Sequence, residues 1–413
     1  MKILLVNDYG TPTGGAELLN IGWRDGLKKK GHDARLFASS ARPLGAENLA
    51  DYECFGTLSS FRILLQTLNP WAWLKLRKVL TEFQPDVVHV TIALTQLSPL
   101  IFPLLKNVPA VYNAQWYRSI CPVGTKILPN GASCQFSMGT VCYRHNCLPL
   151  QDWLLLTVQK FFIGRWFNVF DKIVAASEAV KQRLSTAGME SVDVIWNGIP
   201  TSQNRPPLTS PPTVVFAGRL VWEKGVDILI EAFAKVQQQI PEAKLLIAGD
   251  GLERNSLESQ VNKLKIKSHV SFLGHIDRTT LESVFAQAWV QVIPSRWAEP
   301  FGLVAAEAQM RGTAVIASNS GGLAEIVSHG KTGFLVPPNN ADVLAEHLLT
   351  ILQDKQLAEK LGKLGRKIAI ENFSEDACVN KFIDLYEQLL NHKNRYQVSW
   401  SPEQIESVAN QIN

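Results

Sequence analysis

Short apolar strand patterns alternate with helical patterns almost from the first residue of this 413-residue chain. A buried strand is predicted at Lys2–Val6, a helix at Ala16–Lys30 and a second strand at Ala34–Ala38. Further strands of the first half are predicted at Val87–Val90, Ala110–Asn113, Lys172–Ala175 and Val192–Trp196. Strands that alternate with helices form βαβ units, which build a parallel sheet covered by helices on both faces.

The same alternation begins again in the second half of the chain. Its strands are predicted at Val214–Ala217, Lys244–Ala248, Val270–Leu273, Val290–Ile293 and Ala314–Ala317. Residues 200–212, between the halves, contain five prolines and are predicted to be a linker or hinge. We predict an α/β fold with two doubly wound, Rossmann-like domains that face each other across a cleft. Ligands of such sheets bind beyond the carboxyl ends of the strands.

The domain boundaries follow from this repeat, because a chain of this length exceeds one ordinary core. Residues 1–199 are predicted to form the N-terminal domain, which carries a cysteine-bearing insertion near residues 121–147. Residues 213–390 are predicted to form the C-terminal domain. The remaining residues, 391–413, are predicted to be a polar tail with a short helix that begins at the capping box Ser401–Gln404.

Composition and charge exclude several classes of protein. The chain is 46% hydrophobic and 19% charged, as expected for a globular protein. Its formal net charge of +4 is too small, and the basic run Lys28–Lys30 too short, to indicate nucleic-acid binding. No secretory signal follows Met1, and polar residues interrupt the most apolar long window, Trp153–Phe170. We expect a cytoplasmic protein, with peripheral contact at the inner membrane face as an alternative.

Glycines and cations follow several predicted strands at their carboxyl ends. Gly14 and Gly15 precede the first helix, where backbone N–H groups suit a phosphate, and a tight turn without a ligand is the alternative. Arg219 and Lys224 follow the first strand of the second half, where two cations can clamp a diphosphate. A solvated basic loop is the alternative for these two residues. The same edge carries three glycines that allow close backbone approach, Gly218, Gly249 and Gly251.

Two glutamates enclose the run EPFGLVAAE, Glu299 to Glu307. The run is predicted to be helical, with Pro300 near the first turn, where a missing N–H has no consequence. Eight helical residues rise about 12 Å, which exceeds the roughly 5–9.5 Å between the paired carboxylates of a glycoside hydrolase. The two acids are therefore expected to hold two ends of one long, hydroxyl-rich ligand, such as a nucleotide-sugar.

Several motifs together resemble one enzyme family. The second half contains GRLVWEKG, IAGDG, PSRWAEPFGLVAAEAQMRGTAVIASNSGGLAEIV and GKTGFLVPP, and the first half contains GTPTGGAE, QPDVVHV, DKIVAASEAVKQRL and VIWNGIP. Over roughly residues 1–390, the chain resembles the retaining glycosyltransferases of family 4, which have the GT-B fold. The resemblance implies transfer of a hexose from a UDP- or GDP-sugar to a glycan or lipid-linked acceptor in polysaccharide synthesis.

The resemblance also implies a role for each matching residue. Glu307 would bind the ribose hydroxyls of the donor, and Glu299 the hydroxyls of the transferred sugar. Arg219 and Lys224 would bind the diphosphate and stabilise its departure, which implies catalysis without a metal or another cofactor. The remaining donor contacts would come from Gly15, Gly218, Gly249, Gly251 and the backbone amides of Phe301, Gly302 and Leu303.

One position departs from the family pattern. In PAVYNAQWYRSICP, Gln115 occupies the place where family members usually carry a histidine. A glutamine donates a hydrogen bond but cannot carry a proton. Gln115, together with Gly14, is therefore expected to orient the acceptor or the sugar. The departure leaves open a catalytically impaired scaffold that binds a nucleotide-sugar, beside an epimerase or phosphorylase of the same architecture.

Four cysteines lie close together in the loop-rich insertion of the first half. Four thiols can bind zinc tetrahedrally, although the spacing lacks the paired Cys-x-x-Cys of a zinc ribbon. A structural zinc ion, disulfides and free buried thiols are the three alternatives. The four residues are Cys121, Cys134, Cys142 and Cys147.

Aromatic and basic residues alternate in two stretches of the first half. Such helices either lie on an anionic membrane face, which would suit a lipid-linked acceptor, or pack their aromatic rings against the sheet. The second interpretation is preferred, and the first stays open. The residues are Trp71, Trp73, Lys75, Arg77 and Lys78, followed by Phe161, Phe162, Arg165, Trp166 and Phe167.

Overall fold

The computed structural model describes residues 1–12, 14–209 and 211–398. The capping box predicted at Ser401–Gln404 lies outside these described residues. Residues 391–398, which were assigned to the polar tail, continue the last helix of the described chain.

The N-terminal domain is an α/β unit. Its helices are α1 Gly15–Lys29, α2 Arg62–Leu65, α3 Pro70–Phe83, α4 Thr140–Arg144, α5 Leu150–Trp166 and α6 Glu178–Thr186. Its strands are β1 Lys2–Tyr9, β2 Asp33–Ser39, β3 Tyr52–Cys54, β4 Val87–Val90, β5 Ala110–Ala114, β6 Lys172–Ala175 and β7 Val192–Val194. They form a seven-stranded parallel sheet in the order β3-β2-β1-β4-β5-β6-β7.

Strand β1 shows why this sheet has helices on both faces. Successive side chains of a strand point to opposite faces. Ile3 and Leu5 pack with Trp23 of α1 on one face, whereas Leu4 and Val6 pack with residues of α3 on the other. Because both faces are covered, β1 is apolar at consecutive positions rather than at alternate ones.

The C-terminal domain repeats this architecture. Its helices are α7 Val226–Gln239, α8 Arg254–Lys263, α9 Arg278–Phe285, α10 Leu303–Arg311, α11 Leu323–Ile326, α12 Ala341–Leu352, α13 Lys355–Phe373 and α14 Glu375–Val398. Its strands are β8 Thr213–Ala217, β9 Lys244–Ala248, β10 Val270–Gly274, β11 Val290–Ile293, β12 Ala314–Ser318 and β13 Gly333–Val336. They form a six-stranded parallel sheet in the order β10-β9-β8-β11-β12-β13.

The predicted fold class, two doubly wound Rossmann-like domains, is confirmed. The sequence analysis does not predict the edge strands β3 and β13, which have three and four residues. The helix predicted around Pro300 begins later than expected. Its first residue is Leu303, and Pro300 lies in the preceding loop, so the helical rise of about 12 Å does not apply to the whole run.

The linker, residues 200–212, is packed against the C-terminal domain along part of its length. Arg205 is buried, and its guanidinium donates to the carbonyl oxygen of Gly312 at 2.8 Å and pairs with Glu359 at 3.0 Å. Leu208 is fully buried in the core of the C-terminal domain. The segment therefore contributes to that domain besides joining the two sheets.

The last helix, α14, crosses back to the N-terminal domain. The N–H of Ile199 donates to the carbonyl oxygen of Phe373 at 2.8 Å, and the N–H of Glu375 donates to the carbonyl oxygen of Ile199 at 2.9 Å. The two segments that connect the domains therefore run side by side. Buried residues of α14, including Phe382 and Tyr386, lie in the same core as β1. The predicted C-terminal domain, residues 213–390, thus includes a helix whose apolar face is buried by the other domain.

Candidate functional site between the two domains

A cavity of about 600 Å³ lies between the two domains. Loops after β1 and β5 contribute residues from the N-terminal side, and loops after β8 and β11 contribute residues from the C-terminal side. Eight residues predicted from the sequence line it, namely Gly15, Gln115, Arg219, Lys224, Glu299, Phe301, Gly302 and Leu303. The carboxyl ends of both sheets therefore meet at one hollow, as the fold class predicts.

Lys224 and Glu299 form an ion pair in the wall of this cavity. The Nζ atom of Lys224 lies 2.9 Å from Oε1 of Glu299, and the two side chains are only 17% and 8% exposed. Ser295 donates a second hydrogen bond to the same carboxylate oxygen. The ammonium group also lies 5.8 Å from the ring centre of Trp297, a residue that lines the cavity and was not predicted. The pair is therefore oriented from several sides.

The conformation of the loop that carries Lys224 depends on a glycine. Residues Trp222–Lys224 form a short turn, and Gly225 follows it with a φ of 65°. A side chain at Gly225 would lie 2.2 Å from the carbonyl oxygen of Pro294. The absence of a Cβ atom lets the loop after β8 approach the end of β11, and this contact brings Lys224 to Glu299.

Arg219 is the second cation of the C-terminal wall. It is exposed, lines the cavity and makes no side-chain hydrogen bond or ion pair with any residue in the described part of the chain. Its guanidinium is therefore available to a ligand, whereas Lys224 already neutralises one carboxylate. The arrangement leaves net positive charge where the diphosphate is predicted.

The start of α10 forms the floor of the C-terminal half of the cavity. Gly302 has a φ of 105°, a region that favours glycine, and its backbone approaches Leu323. No side chain caps the N-terminus of α10, so the free N–H groups of its first turn and their positive partial charge are available to an anion. Phe301, Gly302 and Leu303 line the cavity, and the contact of their backbone amides with a donor stays a prediction.

Glu307 lies on α10, one turn after Leu303. Its carboxylate is 3.8 Å from the guanidinium of Arg278, and its side chain is 32% exposed. Desolvation raises the pKa of the Glu307 carboxyl, and Arg278 opposes that rise. Val304, on the same helix face, lines the cavity, but Glu307 itself does not. The role of Glu307 as a ribose ligand stays a prediction. This role requires the Glu307 carboxylate to give up its contact with Arg278 and to accept hydrogen bonds from the ribose instead.

Gly218, Gly249 and Gly251 lie away from the cavity lining. A side chain at Gly249 would lie 1.9 Å from the carbonyl oxygen of Gly218, and one at Gly251 would lie 2.3 Å from that of Leu220. The observed function of these glycines is to let the loops after β8 and β9 pack backbone to backbone. Their direct contact with a donor stays a prediction.

Gly14 and Gly15 form the first turn of the N-terminal wall. A side chain at Gly15 would lie 2.7 Å from Leu303 of the opposite domain, so the cavity is narrow at this point. A side chain at Gly14 would meet the carboxylate of Glu17, which lines the cavity. Burial raises the pKa of the Glu17 carboxyl. With this acid beside it, the turn is better suited to bind a sugar hydroxyl than a phosphate.

Gln115 is the middle member of a chain of three buried amides. Asn197 donates to its oxygen at 2.7 Å, and Gln115 donates to Asn113 at 2.9 Å. Asn197 is 2% exposed and lines the cavity, and its Oδ1 atom has no hydrogen-bond partner among the described residues. The amide chain orients Gln115, and Asn197 offers an acceptor that the sequence analysis did not single out, although it lies in the quoted motif VIWNGIP.

The cysteine-bearing loop contains free thiols. Burial raises the pKa of the thiols of Cys142 and Cys147, and Cys121 and Cys134 lie near enough for their charges to act on both. In the part of the chain that the structure describes, no three Cys, His, Asp or Glu side chains are arranged to hold a metal ion. The described geometry thus gives no support to the zinc alternative. Metal analysis of the protein and of its Cys134→Ser variant is its direct test.

The aromatic residues of α3, of α5 and of the turn that follows α5 divide into two groups. Trp166 and Phe167 pack against the N-terminal core, as the preferred interpretation predicts. Trp71 and Phe161 are instead 48% and 67% exposed. None of the helices within the described residues combines the length and the apolar composition that a membrane crossing requires.

Comparison with known proteins indicates the class of protein that has such a site. Residues 200–368 match the family described as Glycosyl transferases group 1. The chain is 29% identical to glycogen synthase of Mycobacterium tuberculosis in an alignment of 324 residues, and the match covers 76% of this chain and 72% of that protein. The matched segment includes the C-terminal wall of the cavity, and it is similar to the group 1 glycosyltransferases.

Two solved structures have the same architecture over nearly the whole chain. Sucrose-phosphate synthase from Thermosynechococcus elongatus superposes with a TM-score of 0.73 at 25% identity, covering 95% of this chain and 100% of that chain. HepE from Anabaena in complex with UDP superposes with a TM-score of 0.69 at 22% identity, covering 94% of this chain and 100% of that chain. The protein has the GT-B fold. Together with the sequence matches, the fold supports glycosyltransferase activity with a nucleotide-sugar donor.

Proposed function

We propose that this protein is a retaining glycosyltransferase of family 4. It transfers a hexose from a UDP- or GDP-sugar to a glycan or lipid-linked acceptor in polysaccharide synthesis. The observation that carries the proposal is the meeting of Arg219, Lys224 and Glu299 with Gly15 and Gln115 around one interdomain cavity. Its volume, about 600 Å³, lies within the range of about 300–1,000 Å³ that is usual for ligand sites. The glycogen synthase relative supports a polysaccharide product.

In the proposed reaction, the acceptor hydroxyl attacks the anomeric carbon on the face from which the nucleoside diphosphate leaves. The bond from that carbon to the phosphate oxygen breaks, the glycosidic bond forms, and the acceptor proton passes to the departing oxygen. Arg219 and Lys224 stabilise the negative charge of the leaving group. Glu299, oriented by Lys224 and Ser295, accepts hydrogen bonds from the hydroxyls of the transferred sugar.

The proposed reaction needs no divalent metal, because the two cations supply the charge that a metal supplies elsewhere. Turnover is therefore expected to be unchanged when EDTA is titrated into the assay. A loss of turnover that magnesium restores would contradict this part of the proposal.

A single-turnover experiment tests the activity itself. Enzyme in excess over radiolabelled UDP- or GDP-sugar is expected to release or transfer the labelled hexose, whereas the Glu299→Ala variant is expected to do so at least 100-fold more slowly. If the wild type binds the nucleotide-sugar without any turnover, the protein is the alternative scaffold. Epimerisation or phosphate-dependent release of the sugar would identify the other two alternatives.

We also propose that α3 and α5 contact an anionic membrane face. The exposed rings of Trp71 and Phe161 lie on helices that carry exposed cations such as Lys75 and Arg165. Vesicles that contain anionic lipid are expected to sediment the protein at low salt and to release part of it at high salt, because screening weakens electrostatic adsorption. Equal recovery from vesicles of neutral lipid would contradict the electrostatic part of this proposal.

A further inference from the structure

We propose that the N-terminal half of the cavity binds a negatively charged group of the acceptor, a phosphate or a carboxylate, through Arg118 and Arg62. The inference rests on the proposed function and adds the charge of the substrate to it. Both residues line the cavity from the side opposite the donor cations Arg219 and Lys224.

Arg118 is a buried cation with incomplete hydrogen bonding. It is 7% exposed and lines the cavity, and its Nη2 atom donates to Oε1 of Gln66 at 2.8 Å. Its Nε atom is buried without a partner, and no carboxylate of the described residues lies within ion-pair distance of the guanidinium. Burying an unpaired charge is strongly unfavourable, so an anion from outside the chain would stabilise this group.

The nearest buried acid cannot supply this anion. Asp8 is fully buried and acts on Arg118 electrostatically from a distance. Its carboxylate already accepts hydrogen bonds from the N–H and hydroxyl of Thr95, both at 2.7 Å, and from the N–H groups of Gln96 and Leu97, both at 2.8 Å. Four donors satisfy the four lone-pair sites of a carboxylate, so Asp8 is bound to the backbone after β4.

Arg62 brings a second positive charge to the same space. It begins α2, is exposed, and its side chain makes no hydrogen bond or ion pair within the described ranges. It lies close enough to Arg118 for their like charges to repel. Two guanidinium groups that repel each other in the free protein are both stabilised by one anion between them, and their planar forks match phosphate and carboxylate oxygens.

The acids that line the cavity do not cancel these charges. Glu299 is paired with Lys224 on the donor side. Glu17 belongs to the N-terminal half, but burial raises the pKa of its carboxyl and so favours the neutral form. The N-terminal half of the cavity therefore carries two arginines against one acid, although the two cations predicted to bind the donor diphosphate, Arg219 and Lys224, lie in the other half.

Ligand-observed NMR titrations test the inference on protein saturated with UDP or GDP, whichever binds more tightly. The probes are glucose 1-phosphate, glucuronate and methyl glucoside, which share a pyranose ring and differ in charge. At least one anionic probe is expected to bind about tenfold more tightly than methyl glucoside. Tight binding of the phosphate probe alone, or of the carboxylate probe alone, identifies which anion the acceptor carries.

Variants connect this preference to the two arginines. Arg118→Met and Arg62→Met are each expected to weaken binding of the anionic probe about tenfold. Binding of methyl glucoside and of the nucleotide is expected to be unaffected. Arg144→Met, which removes an exposed cation outside the cavity, is the matched control and is expected to change nothing. Arg62 is exposed, so its variant is expected to fold even if Arg118→Met lowers the melting temperature.

Three results would overturn the inference. If no anionic probe binds better than methyl glucoside while the nucleotide still binds, the acceptor anion is absent and the proposed function survives. If Arg118→Met and Arg62→Met weaken binding of the nucleotide as much as binding of the probe, the two arginines belong to the donor site. Failure of both nucleotides to bind the wild type would instead remove the proposed function, and this inference with it.

Discussion

At the scale of single residues, one ion pair in the wall of the cavity is formed by the protein's own side chains. Lys224 and Glu299 are 75 positions apart in the chain, and their contact at 2.9 Å is nearly closed to water. A pair in this setting keeps its geometry because the alternative, an uncompensated buried charge, is costly. Ser295 and Trp297 on the same loop hold the carboxylate and the ammonium in place.

Replacement of Lys224 by methionine is expected to lower kcat for sugar transfer by about 10²- to 10³-fold. The variant removes positive charge from the leaving group and leaves Glu299 buried with Ser295 as its remaining side-chain partner. Steady-state assays at several donor concentrations measure the effect, and Lys331→Met, an exposed lysine of the same domain, is the control. A loss of less than threefold would contradict the role given to Lys224.

At the scale of elements, helix α14 is tied to β4 by a buried polar contact. The Nδ1 atom of His89 lies 2.5 Å from the hydroxyl of Tyr386, and the ring also packs against Phe382 and Trp23. His89 is fully buried, and its Nε2 atom has no partner among the described residues. Desolvation lowers the pKa of His89 to about 3, so the imidazole stays neutral in the folded protein.

This neutral histidine predicts a loss of stability in mildly acidic solution. The unfolded chain takes up a proton at His89 below a pH of about 6.5, whereas the folded protein does not do so until about 3. Between these values the unfolded state binds more protons, so the free energy of unfolding falls as the pH falls. From pH 7.5 to 5.5 the contribution of His89 is about 1.4 kcal/mol.

Denaturant unfolding at the two pH values measures this contribution as a difference between variants. His89→Leu is expected to lose less stability than the wild type over this interval, by the amount stated above. His275→Leu, which removes an exposed histidine, is expected to behave as the wild type does. An unchanged pH dependence in His89→Leu would show that His89 takes up its proton at the same pH in the folded protein as in the unfolded chain.

At the scale of the whole molecule, one carboxylate connects the two domains beside the cavity. Glu325, in the short helix α11 that follows β12, accepts hydrogen bonds from the N–H groups of Glu178 and Ala179, both at 2.9 Å. It also accepts one from the indole of Trp196 at 3.1 Å. These donors belong to the N-terminal domain, and two of them are the first N–H groups of α6, where a negative charge is favourable.

Glu325→Ala is therefore expected to shift the chain towards a more open arrangement of the domains. Hydrogen bonds to a charged acceptor contribute about 1.5–3 kcal/mol each, which is enough to change the population of open and closed states. Small-angle X-ray scattering is expected to give a larger radius of gyration for this variant than for the wild type. The matched control is Glu371→Ala, an exposed glutamate of α13. Identical scattering curves for this variant and the wild type would show that Glu325 does not hold the two domains together.

The sequence by itself determined the elements and their approximate limits. The period of the apolar residues is a local property, and it is enough to predict parallel strands, the helices between them and the loops at their carboxyl ends. For that reason Arg219, Lys224 and Glu299 could be predicted to meet at one edge. Short edge strands such as β13, and the start of α10 at Leu303, depend on neighbouring backbone and were not predicted.

Only the tertiary structure decided which of these residues are buried, paired or free. Burial depends on the elements that pack around a side chain, and these come from distant parts of the chain. Packing therefore closes Glu299 against Lys224 and leaves Arg118 buried without an acid. It also carries the apolar face of α14 to the N-terminal domain, where α14 packs beside α1 on the face of the sheet that includes Ile3 and Leu5.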